Sequence, residues 1–485
     1  MSAWLAASPV LVPMATVVAT ALAQKNPRAQ SLLSLLGILL LLASALALLG
    51  AAHQGAGLRT VFGDWGAPYG IEFYIDRTSA AMLLITAVMG LAALVFLNSD
   101  ADTQPRHPML LPLMHGLLLG VAGSFATADI FNLYVWLEVG LVCALGLLAI
   151  GGRLDQLDGA FKYFVLNIIG TLLLLAAVGL LYGMTGHLNY DALAHAATQL
   201  NPWMLGLVVS VLLLALLIKA GAFPLYAWLP AAYHTLPAPV LGLFAGTLTM
   251  LGVYAVLRVG GDIFATSPSW VYEGLGWIAA ASMLIGVLGA AYHWDMRRIL
   301  AFHTVSQVGY ILLAIALASQ AGNAAALFYT VHHFIVKANL FLIAAMIWRL
   351  TGNYDLRKIG GLYKTHPWLG VLFLLIAMAL VGIPPLSGFW AKLLVLQEAL
   401  AQGRYFWTFI ALLVSVLTLY SMVKIWMEAF WKPHPDKHWQ PPAQTRLWPA
   451  WAATLGLAAL TLTISLNPQP LIEYVQAAAL SMGAR

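Results

Sequence analysis

Apolar residues run along this chain in blocks of about twenty, parted by short polar interruptions. That length is what an α-helix needs to cross the hydrocarbon of a bilayer. About fourteen such blocks can be marked, starting near Leu5, Leu32, Ser79, Met109, Ile130, Phe161, Trp203, Val240, Tyr272, Leu300, Ala324, Leu369, Phe406 and Trp448. The pattern predicts an all-α polytopic membrane protein, one transmembrane domain over residues 1–485, with no soluble segment large enough to fold alone. The longest polar stretch, roughly residues 51–77, predicts a small extramembrane flap. No basic residue precedes the first block and more follow it, so it reads as a span rather than a cleaved leader.

Two blocks, the seventh and the twelfth, are interrupted by proline. "GAFPLYAW" (221–228) and "GIPPLSGF" (382–389) both run Gly-x-x-Pro-Leu into small and aromatic residues. They lie five spans apart, an odd offset, so the copies cross the membrane in opposite directions, the plan of an inverted repeat. Proline inside a span leaves a carbonyl unpaired, which is tolerated only where protein or water satisfies it. Broken helices at matching places in inverted halves point to an ion path.

Orientation follows from the basic residues of the loops. Loops after odd-numbered blocks hold Lys25, Arg28, Arg106, Arg153, Lys162, Arg297, Arg298, Arg349, Arg357, Lys358, Lys364, Lys432, Lys437 and Arg446. Loops after even-numbered blocks hold only Arg59, Arg77, Arg258 and Arg404. The odd loops are therefore expected in the cytoplasm and both termini outside.

Composition narrows the function. The chain is 62% hydrophobic and only 8% charged, against roughly 25% charged in a soluble domain. A net charge of +5 spread over loops, without basic runs, does not suggest a nucleic-acid partner, and none is expected. Cys143 is the only cysteine, so neither a disulfide nor a thiolate metal cluster can form within the chain. Neither zinc-site spacing nor a Gly-rich phosphate loop is present, and the serines lack a His/Asp set, so no metal, cofactor or hydrolase chemistry is expected.

Against that apolar background, ionisable groups inside the blocks stand out: Glu138, Lys219, Lys337 and Lys392, with His332 and His333 beside Lys337. Each charged group at mid-membrane costs about 3 kcal/mol on insertion scales. A single lysine can snorkel or cap a broken helix, and Glu138 with Lys219 could be a structural pair. Three lysines, a glutamate and a histidine pair in one chain point instead to a proton wire. Withdrawal from water disfavours an ammonium's charge, so such a group can bind and release a proton at ordinary pH. His333 and Lys337, four residues apart, share a helix face, and His332 points about a quarter turn away. Lys219 precedes Pro224 whereas Lys392 follows Pro385, so the two lie on different half-helices. Of the lesser candidates, His303 is expected in a helix contact, His115 in packing and Asp129 at an N-cap. Glu398 is poorly placed to pair with Lys392.

Five segments carry a resemblance: "ADIFNLYVWLEVG", "KAGAFPLYAWLPAAYHTLPAPV", "MRRILAFHTVSQVGYI", "HHFIVKANLFL" and "GIPPLSGFWAKLL". Over about residues 70–430 the chain resembles the antiporter-like family shared by Mrp-type multisubunit cation/proton antiporters and the proton-pumping membrane subunits of respiratory complex I. The details of "FNLYVWLEV", "HTVSQVGYI" and "VKANLFL", and the length, look most like the D-type branch of the Mrp antiporter subunits. The resemblance implies fourteen helices, with helices 4–8 (here 109–260) and 9–13 (270–431) as inverted five-helix repeats and helices 7 and 12 broken. Helices 1–3 would then occupy 1–108, and a loop and last helix 432–485. It also implies that Glu138 and Lys219 form the input pair, that Lys337 is the central lysine and that Lys392 is the lysine of the second broken helix.

The chain departs from the family in one place. Many members carry a lysine in the eighth helix, or a histidine one to two turns earlier, where this chain has Met250 and Phe244. Thr247, Thr249 and bound water would have to bridge Lys219 to Lys337, with His303 a further candidate relay elsewhere; otherwise the central path is interrupted. The function implied is a proton-translocating subunit of a Na+ (or K+)/H+ antiporter in the cell's inner membrane, partnered by other membrane subunits. No cage of carboxylates for sodium is visible, which puts the cation's own crossing in a partner. The alternative is the proton-pumping arm of a complex I-like NADH:quinone oxidoreductase or membrane-bound hydrogenase, a part of an enzyme without a redox site of its own. A degenerate scaffold that only packs against partners is the third reading.

Overall fold

The computed structural model describes residues 2–55, 57–66, 70–100, 106–440 and 447–482, so Arg446 lies outside the described residues. The elements run α1 (Ser2–Leu22), α2 (Pro27–Gln54), β1 (Leu58–Val61), β2 (Glu72–Ile75), α3 (Arg77–Leu97), α4 (Leu110–Ala126) and α5 (Ile130–Ala149). Next come α6 (Leu154–Thr185), α7 (Tyr190–Ala197), α8 (Pro202–Ala220), α9 (Trp228–Tyr233), α10 (Ala238–Arg258), α11 (Ser269–Tyr292) and α12 (Met296–Ala316). The chain ends with α13 (Gln320–Thr351), α14 (Leu362–Thr365), α15 (Pro367–Val381), α16 (Ser387–Ala401), α17 (Tyr405–Trp426), α18 (Trp448–Leu466) and α19 (Gln469–Ser481). Among the described residues twelve helices are long and apolar enough to cross a membrane, and α4 and α15 are shorter apolar helices. The protein is an all-α polytopic membrane protein.

Local chemistry sets the helix starts. The side chains of Asn26, Asp76, Asp129, Asp295 and Ser319 accept from backbone N–H groups of the first turn, which satisfies donors the helix leaves free. Asp129 is thus the cap expected of it. The polar stretch after α2 is a hairpin, β1 antiparallel to β2 with Leu58 opposite Ile75.

Both proline-bearing blocks break as expected. α8 ends on Gly221 (φ 71°) and α15 on Gly382 (φ 91°), left-handed conformations that favour glycine. The chain resumes as α9 and α16 after irregular turns.

Two stretches are built alike 166 residues apart. Asp129 bridges to Asn189 in one, and Asp295 to Asp355 in the other. α6 and α13 each hold 32 residues and end on a left-handed glycine, Gly186 and Gly352. A Cβ on Gly120 would collide with the Gly140 nitrogen, and one on Gly286 with the Ser306 nitrogen, so α4–α5 and α11–α12 touch backbone to backbone in the same way. α10 and α17 both run out into a π-turn, Val259–Ile263 and Met427–Trp431.

α13 lies at the centre, packed on α3, α10, α12, α15, α16, α18 and α19. Only residues near its ends reach the surface, and α10 is wholly enclosed. α19, a short helix beyond the last block that hydropathy did not mark, packs on α13 and α3, and its Tyr474 hydroxyl donates to the Arg77 carbonyl at 2.7 Å.

Candidate functional site

The buried basic groups sit in three settings. In the first, Glu138 on α5 faces Lys219 in the last turn of α8 at 3.4 Å. Lys219 is 6% exposed and the Glu138 side chain 22%. Their contact runs through a third helix. From α6, the Thr171 hydroxyl accepts from Lys219 Nζ at 2.8 Å and donates to Glu138 Oε1 at 2.5 Å, and the Asn167 carbonyl accepts from Lys219 at 3.1 Å. A cavity of about 20 Å³, room for one water, adjoins Lys219 between Tyr163 and Trp228.

In the second setting Lys337 of α13 reaches the Thr249 hydroxyl of α10 at 3.4 Å and lies 5.5 Å from the centre of the Tyr233 ring. Thr247 is differently engaged, donating to the Leu243 carbonyl of its own helix. Met250 is fully buried. Both ring nitrogens of His333, one turn before Lys337, are buried without a hydrogen-bond partner among the described residues.

The third setting gathers around the second break. Lys392 of α16 donates to the Val381 carbonyl, freed where α15 stops, at 2.7 Å and to the Ser415 hydroxyl at 3.0 Å. Its ammonium stands 4.8 Å from the Tyr310 ring centre. The Tyr310 hydroxyl bonds Ser415 at 2.8 Å, and its ring stacks on Tyr329, whose hydroxyl donates to Gln307 at 2.5 Å. His332 meets the Ser387 hydroxyl at 2.8 Å. His303 meets Ser421 at 2.6 Å, the helix contact expected of it. Glu398 accepts from Ser319 and Gln402, away from Lys392.

Sequence reasoning missed Thr171, Asn167, Ser387, Ser415 and Tyr310, because nothing in an apolar block tells which hydroxyl faces a neighbouring helix. It also misplaced Arg258, expected in an outer loop. The π-turn after α10 carries the chain on, and Arg258 is buried between Asp76 at 2.5 Å and Asp262 at 3.0 Å, with Ser79 and the Tyr254 hydroxyl completing its donors' partners. Removing it from the loop tally leaves the loops after even-numbered blocks poorer still in basic residues.

Beyond the first break, His234 follows α9. Its Nδ1 bonds the Pro230 carbonyl at 3.0 Å and its Nε2 faces the Arg298 guanidinium at 3.2 Å. Burial, then the Arg298 and Arg297 charges, hold its proton affinity below the ordinary value, against the opposing pull of the Pro230 carbonyl and, more weakly, Asp295.

A bundle enclosing basic side chains on two broken helices defines the antiporter-like class of polytopic membrane subunits. The model of the family described as "NADH:quinone oxidoreductase/Mrp antiporter, TM" matches residues 127–418, and the chain belongs to that family. It is 35% identical over 467 residues to the D-type subunit of the Na(+)/H(+) antiporter of Alkalihalophilus pseudofirmus, covering 96% of this chain and 94% of that one. Among solved structures, a chain of the Mrp complex from Dietzia sp. superposes with a TM-score of 0.92 at 31% identity, over 99% of this chain and 97% of that one. A chain of respiratory complex I from Thermus thermophilus does so with a TM-score of 0.77 at 26% identity, over 96% and 98%.

Proposed function

We propose that this chain is the proton-translocating subunit of a multisubunit Na+ (or K+)/H+ antiporter, moving protons along Glu138, Lys219, His333, Lys337 and Lys392, with His332 beside the path. One observation carries the reading. Among the described residues Lys337 and Lys392 make no ion pair; their polar partners are the Thr249 and Ser415 hydroxyls and the Val381 carbonyl. Neither lysine therefore has, among those residues, a fixed counter-charge that would hold it as an ammonium. A hydroxyl can accept from an ammonium or donate to an amine, so these settings tolerate both protonation states. A charge change at one site then alters the proton affinity of the next across a low-dielectric interior.

The two like-built stretches, the matched π-turns and the odd offset of five spans from one break to the other support a pair of inverted repeats over 109–260 and 270–431. With α4 and α15 counted as crossings there would be fourteen. The basic bias of the loops supports termini on the outer side of the inner membrane. Its partners would be the other membrane subunits of an Mrp-type complex, one of which would carry the cation. Likeness to the complex I chain favours a second reading, a redox-driven pumping arm, and identification of the co-purified subunits separates the two.

The test is Na+- and K+-dependent proton movement in everted vesicles carrying the assembled complex. Lys219→Ala and Lys392→Ala are each expected to abolish it while assembly persists. Wild-type movement in both would overturn the proposal.

A further inference from the structure

Among the described residues, threonines more than one turn inside a helix donate their hydroxyl to the carbonyl four positions back, as Thr86, Thr304, Thr330 and Thr418 do. That bond satisfies the group inside an apolar helix. Two threonines depart from it, Thr171 and Thr249, and both face a buried lysine. At Thr249 the contact with Lys337 is long, at 3.4 Å. At Thr171 the hydroxyl is fully committed, accepting from Lys219 at 2.8 Å and donating to Glu138 at 2.5 Å, while the two charged groups themselves stand 3.4 Å apart. The better-formed route between the acid and the base therefore runs through Oγ1.

The 166-residue spacing gives this position a second meaning. On α13 the counterpart of Thr171 is Lys337, that of Asn167 is His333 and that of Tyr163 is Tyr329. In one stretch the place holds a lysine; in the other it holds a hydroxyl wedged between a lysine and a glutamate.

We infer that Thr171 passes the proton between Lys219 and Glu138. One Nζ–H bond breaks as that proton joins Thr171 Oγ1, and the hydroxyl's own proton leaves Oγ1 for Glu138 Oε1. The ammonium becomes an amine, the carboxylate an acid, and the threonine is regenerated. The reverse step recharges the pair. Thr171 touches both reacting atoms and carries no charge itself, so the step places no third ion in the bilayer. A hydroxyl replaced by a methyl of the same size keeps the packing and removes the transfer. The inference rests on the proton path proposed above.

The experiment compares Thr171→Val and Thr171→Ser with wild type and Lys219→Ala in everted vesicles, with the amount of assembled complex measured and rates taken in H2O and D2O. Thr171→Val is expected to slow proton movement about tenfold or more. Thr171→Ser is expected to restore most of the rate, with a solvent isotope effect like that of wild type. Wild-type speed in Thr171→Val, or a serine variant as slow as the valine one, overturns the inference. If Thr171→Val does not assemble, Thr171→Ala against Thr171→Ser decides it by the same criterion. Should Lys219→Ala move protons as fast as wild type, the proton path itself falls, an outcome distinct from the failure of Thr171 alone.

Discussion

Arg258 is a costly side chain to disturb. Its guanidinium, 2% exposed, balances Asp76 and Asp262 inside the bundle. Arg258→Gln is expected to destabilise the protein by about 3–5 kcal/mol, because two carboxylates then lose their buried partner. Thermal unfolding of the purified complex measures it, and an unchanged midpoint would show that the cluster is solvated. Between Lys219 and Lys337 on the proposed path, Thr249 rather than Met250 is the residue with a polar group toward Lys337. Thr249→Val should lower proton movement, whereas Met250→Lys should not raise it, since the added amine duplicates a contact already made. A gain of rate in Met250→Lys would mean that the hydroxyl is not a sufficient bridge.

The functional groups depend on how closely the helices approach. A Cβ on Gly252 of α10 would collide with the Ala220 nitrogen and lie 2.5 Å from its Cα, in the last turn of α8. Backbone cannot give way as a side chain can, so Gly252→Ala is expected to push α8 aside at a cost of about 1–3 kcal/mol and to move Lys219 off Glu138. Reduced thermal stability together with lost transport would be the signature. The element beyond the break responds to pH. Because burial and the Arg298 and Arg297 charges disfavour the imidazolium of His234, the unfolded chain binds a proton there more readily than the folded chain. The stability this site contributes is therefore complete above about pH 6.5 and is lost as pH falls below it. His234→Gln retains an acceptor for Arg298 and should flatten the acid limb of the melting-temperature profile; an unaltered limb would assign it to other groups.

For the molecule as a whole, orientation is the testable quantity. In a Cys143→Ser background, an impermeant maleimide is expected to label Gln199→Cys from outside intact cells and Lys25→Cys only after the membrane is opened. The reverse pattern would invert the proposed topology. Legibility also divides by scale. Glu138, Lys219, Lys337 and Lys392 could be picked out because charge is rare in lipid-facing sequence, and the two breaks because proline and glycine punctuate helices wherever they fall. Arg258 was misread because a π-turn leaves no mark in a hydropathy count.

By itself the sequence determined the class of the molecule, the approximate limits of most of its apolar helices, the two interruptions and the identity of the buried charges. All of these are properties of residues near one another along the chain, where transfer free energy and backbone sterics act. Only the tertiary structure decided what each charge touches: Thr171 between Lys219 and Glu138, Ser415 and a freed carbonyl at Lys392, Asp76 and Asp262 around Arg258. Those partners come from helices far apart in sequence. In an apolar chain hydrophobicity does not distinguish a face turned to lipid from one turned to protein, so helix packing alone fixes which hydroxyl meets which lysine.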